Sequence, residues 1–186
     1  NNKVALITGG SKGIGYGVAE ALMAEGMYVA ITSRTQKAAD EAAAKLNKGE
    51  KGKAFGIECD VRNFDSQKES VKKTVEKFGQ IDLLFANAGI GHFASIEDMS
   101  AEQWNETIDT NLTGVFFSIK AALAELKKSK GFIITLSSLA GTNFFANGSA
   151  YNASKFGLTG FTQSVMLDLR KHGIRVYTIM PGSVST

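Results

Sequence analysis

Short runs of Val, Ile, Leu and Ala recur along the chain, separated by longer stretches in which apolar residues return every three or four positions. The runs at 4–8, 28–32, 81–86, 132–137 and 175–180 predict strands. Residues 54–60 predict a weaker strand, because Gly56 interrupts them. These runs do not alternate with polar residues, as expected of strands buried on both faces of a parallel sheet. The periodic stretches 14–25, 36–46, 65–78 and 151–171 predict helices, three of them ending close to Gly26, Gly79 and Gly173. Residues 101–128 predict two helices with a break at 110–114.

Strand–helix alternation repeated in this way predicts an α/β fold with right-handed crossovers. The single proline, Pro181, follows the sixth strand, and no linker-like or low-complexity tract divides the chain. One domain over residues 1–186 is expected. Hydrophobic residues make up 44% of the chain and charged residues 21%, which excludes wholesale disorder. The net charge of +3 comes without a basic block, so a nucleic-acid partner is not expected. No apolar run is long enough to span a membrane. A lone cysteine, Cys59, excludes an internal disulfide and fits a reducing, cytoplasmic setting. One cysteine and two distant histidines make no metal site.

The chemistry begins where the first strand meets the first helix, at Thr8-Gly9-Gly10-Ser11-Lys12-Gly13-Ile14-Gly15. Glycines there allow a tight turn and a close ligand approach, and a helix N-terminus offers free N–H groups to a pyrophosphate. The spacing Gly9-x-x-x-Gly13-x-Gly15 departs from the commoner G-x-G-x-x-G, and Lys-Ser or Lys-Thr is not placed for a P-loop. At the end of the second strand, where an acid selects NAD, the chain reads Ser33-Arg34. A guanidinium suits the 2′-phosphate of NADP, and Lys12 adds a second cation. The expected cofactor is therefore NADP(H) in preference to NAD(H).

A second polar cluster lies in the other half. Ser137 and Ser138 end an apolar strand, and Tyr151 and Lys155 share one face of a predicted helix. An ammonium about 5 Å from a phenol, at an effective dielectric of about 20, favours the phenolate by roughly 3 kcal/mol. Such a tyrosine is usable as a general acid/base near neutral pH.

Taken jointly, the glycine loop, Asn87-Ala88-Gly89, Asn111, Ser138, Tyr151-x-x-x-Lys155 and Pro181-Gly182 resemble the short-chain dehydrogenase/reductase family over essentially the whole chain. The resemblance implies a Rossmann-type doubly wound parallel sheet of order 3-2-1-4-5-6, with a seventh strand and a substrate-covering segment expected beyond Thr186. It implies NAD(P)-dependent interconversion of a carbonyl and an alcohol. Tyr151 would exchange the proton, Ser138 orient the carbonyl oxygen, Lys155 hold the nicotinamide ribose, and Asn111 position a relay water. It assigns the cofactor to Gly9, Ser11, Lys12, Gly13, Ile14, Gly15, Ser33 and Arg34 at one end. Asp60 and Val61 fall to the adenine, and Asn87, Ala88, Gly89, Tyr151, Lys155, Pro181 and Gly182 to the nicotinamide half. Ala86 stands where an asparagine often precedes Asn-Ala-Gly. Family members commonly form dimers or tetramers through two helices. Here those helices carry Val115, Phe116, Ile119, Ala122, Phe156, Phe161, Val165 and Leu169, some of which must serve the protomer's own core.

A serine hydrolase is disfavoured, because no Gly-x-Ser-x-Gly occurs. A non-catalytic NADP(H) sensor is disfavoured by the presence of both Tyr151 and Lys155. For the substrate wall the candidates are Gly91, His92, Phe93, Leu139, Asn143, Phe144, Phe145 and Ser183, besides Ser138 and Gly182. Three phenylalanines among them suit either a small-molecule carbonyl compound with an apolar part or a place in the core or an interface. No arginine follows Asn87-Ala88-Gly89-Ile90, which favours a general carbonyl reductase over a 3-oxoacyl acyl-carrier-protein reductase.

Overall fold

The apolar runs become strands whose successive residues feed two separate cores. The computed structural model describes residues 2–49 and 52–183, with strands β1 (Val4–Ile7), β2 (Tyr28–Ser33), β3 (Lys53–Glu58), β4 (Leu83–Ala86), β5 (Phe132–Leu136) and β6 (Arg175–Ile179). The helices are α1 (Gly13–Ala24), α2 (Gln36–Leu46), α3 (Phe64–Phe78), α4 (Ala101–Ile108), α5 (Gly114–Ser129) and α6 (Ser149–Leu169). Leu6, Leu84 and Ile133 point to one core, shared with Val115, Ile119, Ala122 and Leu158 of α5 and α6. Ala5, Ile7 and Phe85 point to the other, shared with Ala19, Met23, Ala42 and Leu46 of α1 and α2. Both faces are dry, so alternation disappears and a continuous apolar run is what the fold requires.

All pairings are parallel and the order is β3-β2-β1-β4-β5-β6. Every expected strand is present, although its ends shift by one or two residues. Thr8, Cys59, Asp60, Ser137 and Met180 lie just past the ladder. These are the carboxyl ends of the strands, where the chain leaves the sheet and forms a crevice.

Two expectations need correction. The chain does not break between α4 and α5. Residues Asp109–Thr113 form a π-helical turn, and the Gly114 N–H donates to the Asp109 carbonyl five residues back. A sequence periodicity of 3.6 registers that extra residue as an interruption. Nor is β6 buried on both faces. Tyr177 is 52% exposed and Ile179 45%, because no helix among the described residues covers that face beside β5 and β6. The expected continuation past Thr186 lies outside the described residues.

Helix starts follow local chemistry. The side chains of Thr35 and Asn63 accept from Ala38 N and Ser66 N, and Ser100 and Gln103 form a capping box. Asn63, not the nearby Asp60, caps α3. Of the apolar residues on α5 and α6, Val115, Ile119, Ala122 and Leu169 are buried in the protomer's own core. Phe161 and Val165 pack partly against that core, and Phe116 and Phe156 face outward. Among the described residues no helix is long and apolar enough to cross a membrane.

Candidate functional site

The loops following β1 and β4 are bonded into one unit at the point where the strand order reverses. The Thr8 hydroxyl accepts from the backbone N–H groups of Asn87 (3.0 Å) and Ala88 (3.1 Å). In return the Asn87 side chain donates to the carbonyls of Thr8 (2.9 Å) and Gly9 (3.0 Å). Gly9 has φ +63°, and a Cβ there would lie 2.9 Å from the Ala88 Cα. Gly15 does not line the cleft. A Cβ on it would stand 2.5 Å from the Asn87 amide nitrogen, so it lets α1 approach the β4 loop. The spacing Gly9-x-x-x-Gly13-x-Gly15 thus assigns the close packing to Gly9 and Gly15 and the helix start to Gly13. Lys12 at the N-cap makes no side-chain cap bond, and the first turn of α1 has no acid. Its N–H groups and dipole are left to an anion.

A cleft of about 570 Å³ runs from this loop to the carboxyl end of β5. At one end it is lined by Gly9, Ser11, Lys12, Gly13 and Ile14, with Ser33 and Arg34 beyond them. The hydroxyls of Ser11 and Ser33 are 3.2 Å apart. Asp60 and Val61 form the next part of the wall. The Asp60 carboxylate accepts two parallel bonds from Arg62, Nε to Oδ1 at 3.0 Å and Nη2 to Oδ2 at 2.7 Å. Those bonds hold the Asp60 carboxyl below its usual range. Arg62 also lines the cleft, as does Cys59, and sequence reasoning singled out neither as a site residue.

The other end is lined by Asn87, Ala88, Gly89, Ser138, Tyr151, Lys155, Pro181 and Gly182. Ser138 follows β5 and accepts from Ala140 N. Tyr151 and Lys155 lie one turn apart on α6, with the ammonium 5.7 Å from the centre of the phenol ring. Lys155 is 4% exposed and donates to the Leu136 carbonyl at 2.9 Å. Burial pushes its ammonium down to about 8. Asn111, carried by the π turn, is fully buried and does not line the cleft. Its Oδ1 accepts from Ile90 N at 2.8 Å, and its Nδ2 donates to the Ile90 carbonyl and the Ser154 hydroxyl. A Cβ on Gly89 would stand 3.3 Å from Asn111 Oδ1 and 3.7 Å from Lys155 Nζ, so the two side chains flank one point.

The predicted substrate residues divide. A smaller recess of about 410 Å³ opens beside Ser138 and Tyr151 and is lined by Leu139, Asn143, Phe144, Phe145, Gly182 and Ser183. Gly91 and Phe93 line the larger cleft. Phe93 lies 5.5 Å from the Tyr151 ring and 6.0 Å from Phe145, and Phe145 lies 6.4 Å from Tyr151, so three rings meet. The loop bearing Phe144 and Phe145 is held by Asn152, whose amide donates to the carbonyls of Ala140 and Asn143. His92 lines neither space. Its Nε2 is 2.8 Å from Glu106 Oε2 on α4. Asn152 and Glu106 were not legible beforehand, because nothing local in the sequence marks a long-range partner. Among the described residues no group of three or more His, Cys, Asp or Glu side chains could hold a metal ion.

The short chain dehydrogenase family model matches residues 3–186. The trans-4-hydroxycyclohexanecarboxylate dehydrogenase of Sinomonas cyclohexanicum is 39% identical over 190 residues, covering 99% of this chain and 73% of that protein. A 3-oxoacyl acyl-carrier-protein reductase of Synechocystis is 38% identical over 186 residues, covering 99% and 75%. An alcohol dehydrogenase from the archaeon Thermococcus sibiricus, complexed with 5-hydroxy-NADP, superposes with a TM-score of 0.95 at 32% identity, covering 100% of this chain and 78% of that one. Family model, relatives and fold agree with the crevice built above: the chain belongs to the short-chain dehydrogenase family of oxidoreductases.

Proposed function

We propose that the protein is an NADPH-dependent oxidoreductase that interconverts a carbonyl and a secondary alcohol, with Tyr151 as the general acid/base. One observation carries this reading: a single cleft has the glycine loop at one end and Ser138, Tyr151 and Lys155 at the other. The residues fit the cofactor, since the Gly9 turn is so close to Ala88 that a side chain would obstruct it, and the α1 N-terminus is left uncapped. Gly9 to Gly15 and the start of α1 would hold the pyrophosphate. Arg34, with Lys12 and Ser33, would take the 2′-phosphate, and Asp60 and Val61 the adenine. Asn87, Ala88, Gly89, Lys155, Pro181 and Gly182 would surround the nicotinamide and its ribose. When bound, the cofactor supplies or accepts the hydride.

The chain's own residues then handle the proton. Ser138 donates a hydrogen bond to the carbonyl oxygen, and Tyr151 gives that oxygen its proton during reduction. The Lys155 ammonium, held by the Leu136 carbonyl, keeps positive charge beside the phenol while the proton moves. Asn111 fixes the backbone of Ile90 and, beside Lys155, suits a relay water.

The aromatic trio Phe93, Phe145 and Tyr151 supports a ketone with an apolar or cyclic substituent. A second reading, 3-oxoacyl acyl-carrier-protein reductase, is favoured by the Synechocystis relative. Assays with NADPH of acetoacetyl thioesters against cyclic and aryl ketones, aldehydes and sugars separate the two. Turnover of cyclic or aryl ketones well above that of the thioester is the expected result, and the reverse order selects the second reading.

Cofactor choice has its own test. NADPH is expected to bind at least about tenfold tighter than NADH, and Arg34→Asp to erase or invert that preference. Equal affinities in a fluorescence titration of the wild type would refute the assignment of Arg34. Assembly follows the exposed apolar side chains of α5 and α6, Phe116, Phe156, Met166 and Leu167. A dimer or tetramer is expected by light scattering at micromolar concentration, and a monomeric mass would count against it.

A further inference from the structure

Glu106 sits at the C-terminal end of α4, and its two oxygens have different partners. Oε1 is 4.0 Å from Arg34 Nη1 and 3.6 Å from Arg62 Nη1, and both of these arginines line the large cleft. Oε2 is 2.8 Å from His92 Nε2, on the loop that carries Gly91 and Phe93. The short contact to His92 thus orients the carboxylate with its other oxygen toward the two arginines. It is carried by a helix whose start is fixed by the Ser100–Gln103 capping box. Asp60 already claims Arg62 through two bonds, so Arg34 is the cation with the most freedom to meet a ligand anion. Its side chain is 70% exposed.

We propose that Glu106 is a specificity-determining residue for the cofactor: a built-in counter-charge that weakens the hold of Arg34 on the 2′-phosphate and so limits the preference for NADPH over NADH. The inference rests on the NADPH reading above. A phosphate reaching Arg34 meets the same guanidinium that faces Glu106, and two anions sharing one cation repel each other. NADH carries no charge at that position and is indifferent to the carboxylate there. The sequence alone offers no hint of this, because Glu106 lies 72 positions from Arg34 and reads as one more solvated helix acid.

The test is fluorescence titration of NADPH and NADH against wild type, Glu106→Gln, Arg34→Gln and Glu102→Gln. Glu106→Gln keeps the shape and the hydrogen-bonding capacity toward His92 while removing the charge. It is expected to raise the NADPH-to-NADH affinity ratio about fivefold at low salt, the size of a unit charge acting through a water-like dielectric on a nearby phosphate. The gain should shrink as ionic strength rises. Glu102→Gln removes the same charge from the same helix, away from the arginines, and the ratio should stay where it was. A ratio that is unchanged or lower in Glu106→Gln, with Arg34→Gln still losing NADPH affinity, overturns the counter-charge while sparing the cofactor reading. An equal gain in Glu102→Gln overturns it too, since net charge alone would then explain the effect. Equal affinities in the wild type, unaltered by Arg34→Gln, bring down the NADPH reading and this inference with it.

Discussion

Tyr151→Phe is expected to lower turnover at least a hundredfold while leaving NADPH affinity within about twofold, the usual size of a lost general acid/base. The substitution deletes one hydroxyl and keeps the ring. The ring packs against Phe93 and Phe145, so the recess beside Ser138 retains its shape and the variant should unfold near the wild-type temperature. Binding should survive because Lys155, not the phenol, is anchored to the Leu136 carbonyl and assigned to the ribose. Single-turnover reduction of a reactive ketone measures it. A rate above a tenth of wild type would mean that another group delivers the proton.

The second large effect is on stability, and it runs opposite to activity. Lys155 is nine-tenths hidden from solvent, and burial pushes its ammonium from 10.5 down to about 8. Between those values the unfolded chain keeps a proton that the folded chain has released. Stability therefore rises with pH across the window from about 8 to 10.5, and below it the full penalty stands. That penalty is about 3 kcal/mol, partly offset by the bond to Leu136. Lys155→Met should thus lose most turnover yet melt roughly 4–6 °C higher at pH 7. The advantage should fade as pH approaches 10. Melting curves of both proteins from pH 6 to 10 check it. A Met variant less stable at neutral pH, or an advantage that does not move with pH, would show that the buried ammonium is not strained by its surroundings.

The central strands were legible because they are uninterrupted apolar runs with two dry faces, as in Val4 to Ile7 and Leu83 to Ala86. The order of the sheet was not. No local pattern says that β4 rather than β3 lies beside β1, and that expectation came from resemblance. The site was legible where it is local: Gly9 to Gly15 in one turn, and Tyr151 and Lys155 one helical turn apart. It was illegible where it depends on partners far along the chain. His92 has the composition of a mouth residue, yet 14 positions on, Glu106 draws its ring away. Asn152 looks like a polar helix residue but fastens the loop that shapes the recess. Gln67 reads as surface, but its buried amide faces Val61, Gly114 and Ser118 at once, joining the cleft wall at Val61 to the end of the π turn.

That π turn sets a rule for length changes. From Ala101 to Ser129 the backbone is one continuous helical rod with one surplus residue wound into it at 109–113. Taking out a residue there would not shorten a loop. It would let the rod relax to ordinary winding and turn everything beyond it by about 100°. Asn111 would swing away from Ile90, and Val115, Ile119 and Ala122 would leave the core they fill. Loops on this protein can gain or lose residues and stay loops, whereas here a single codon acts as a rotation.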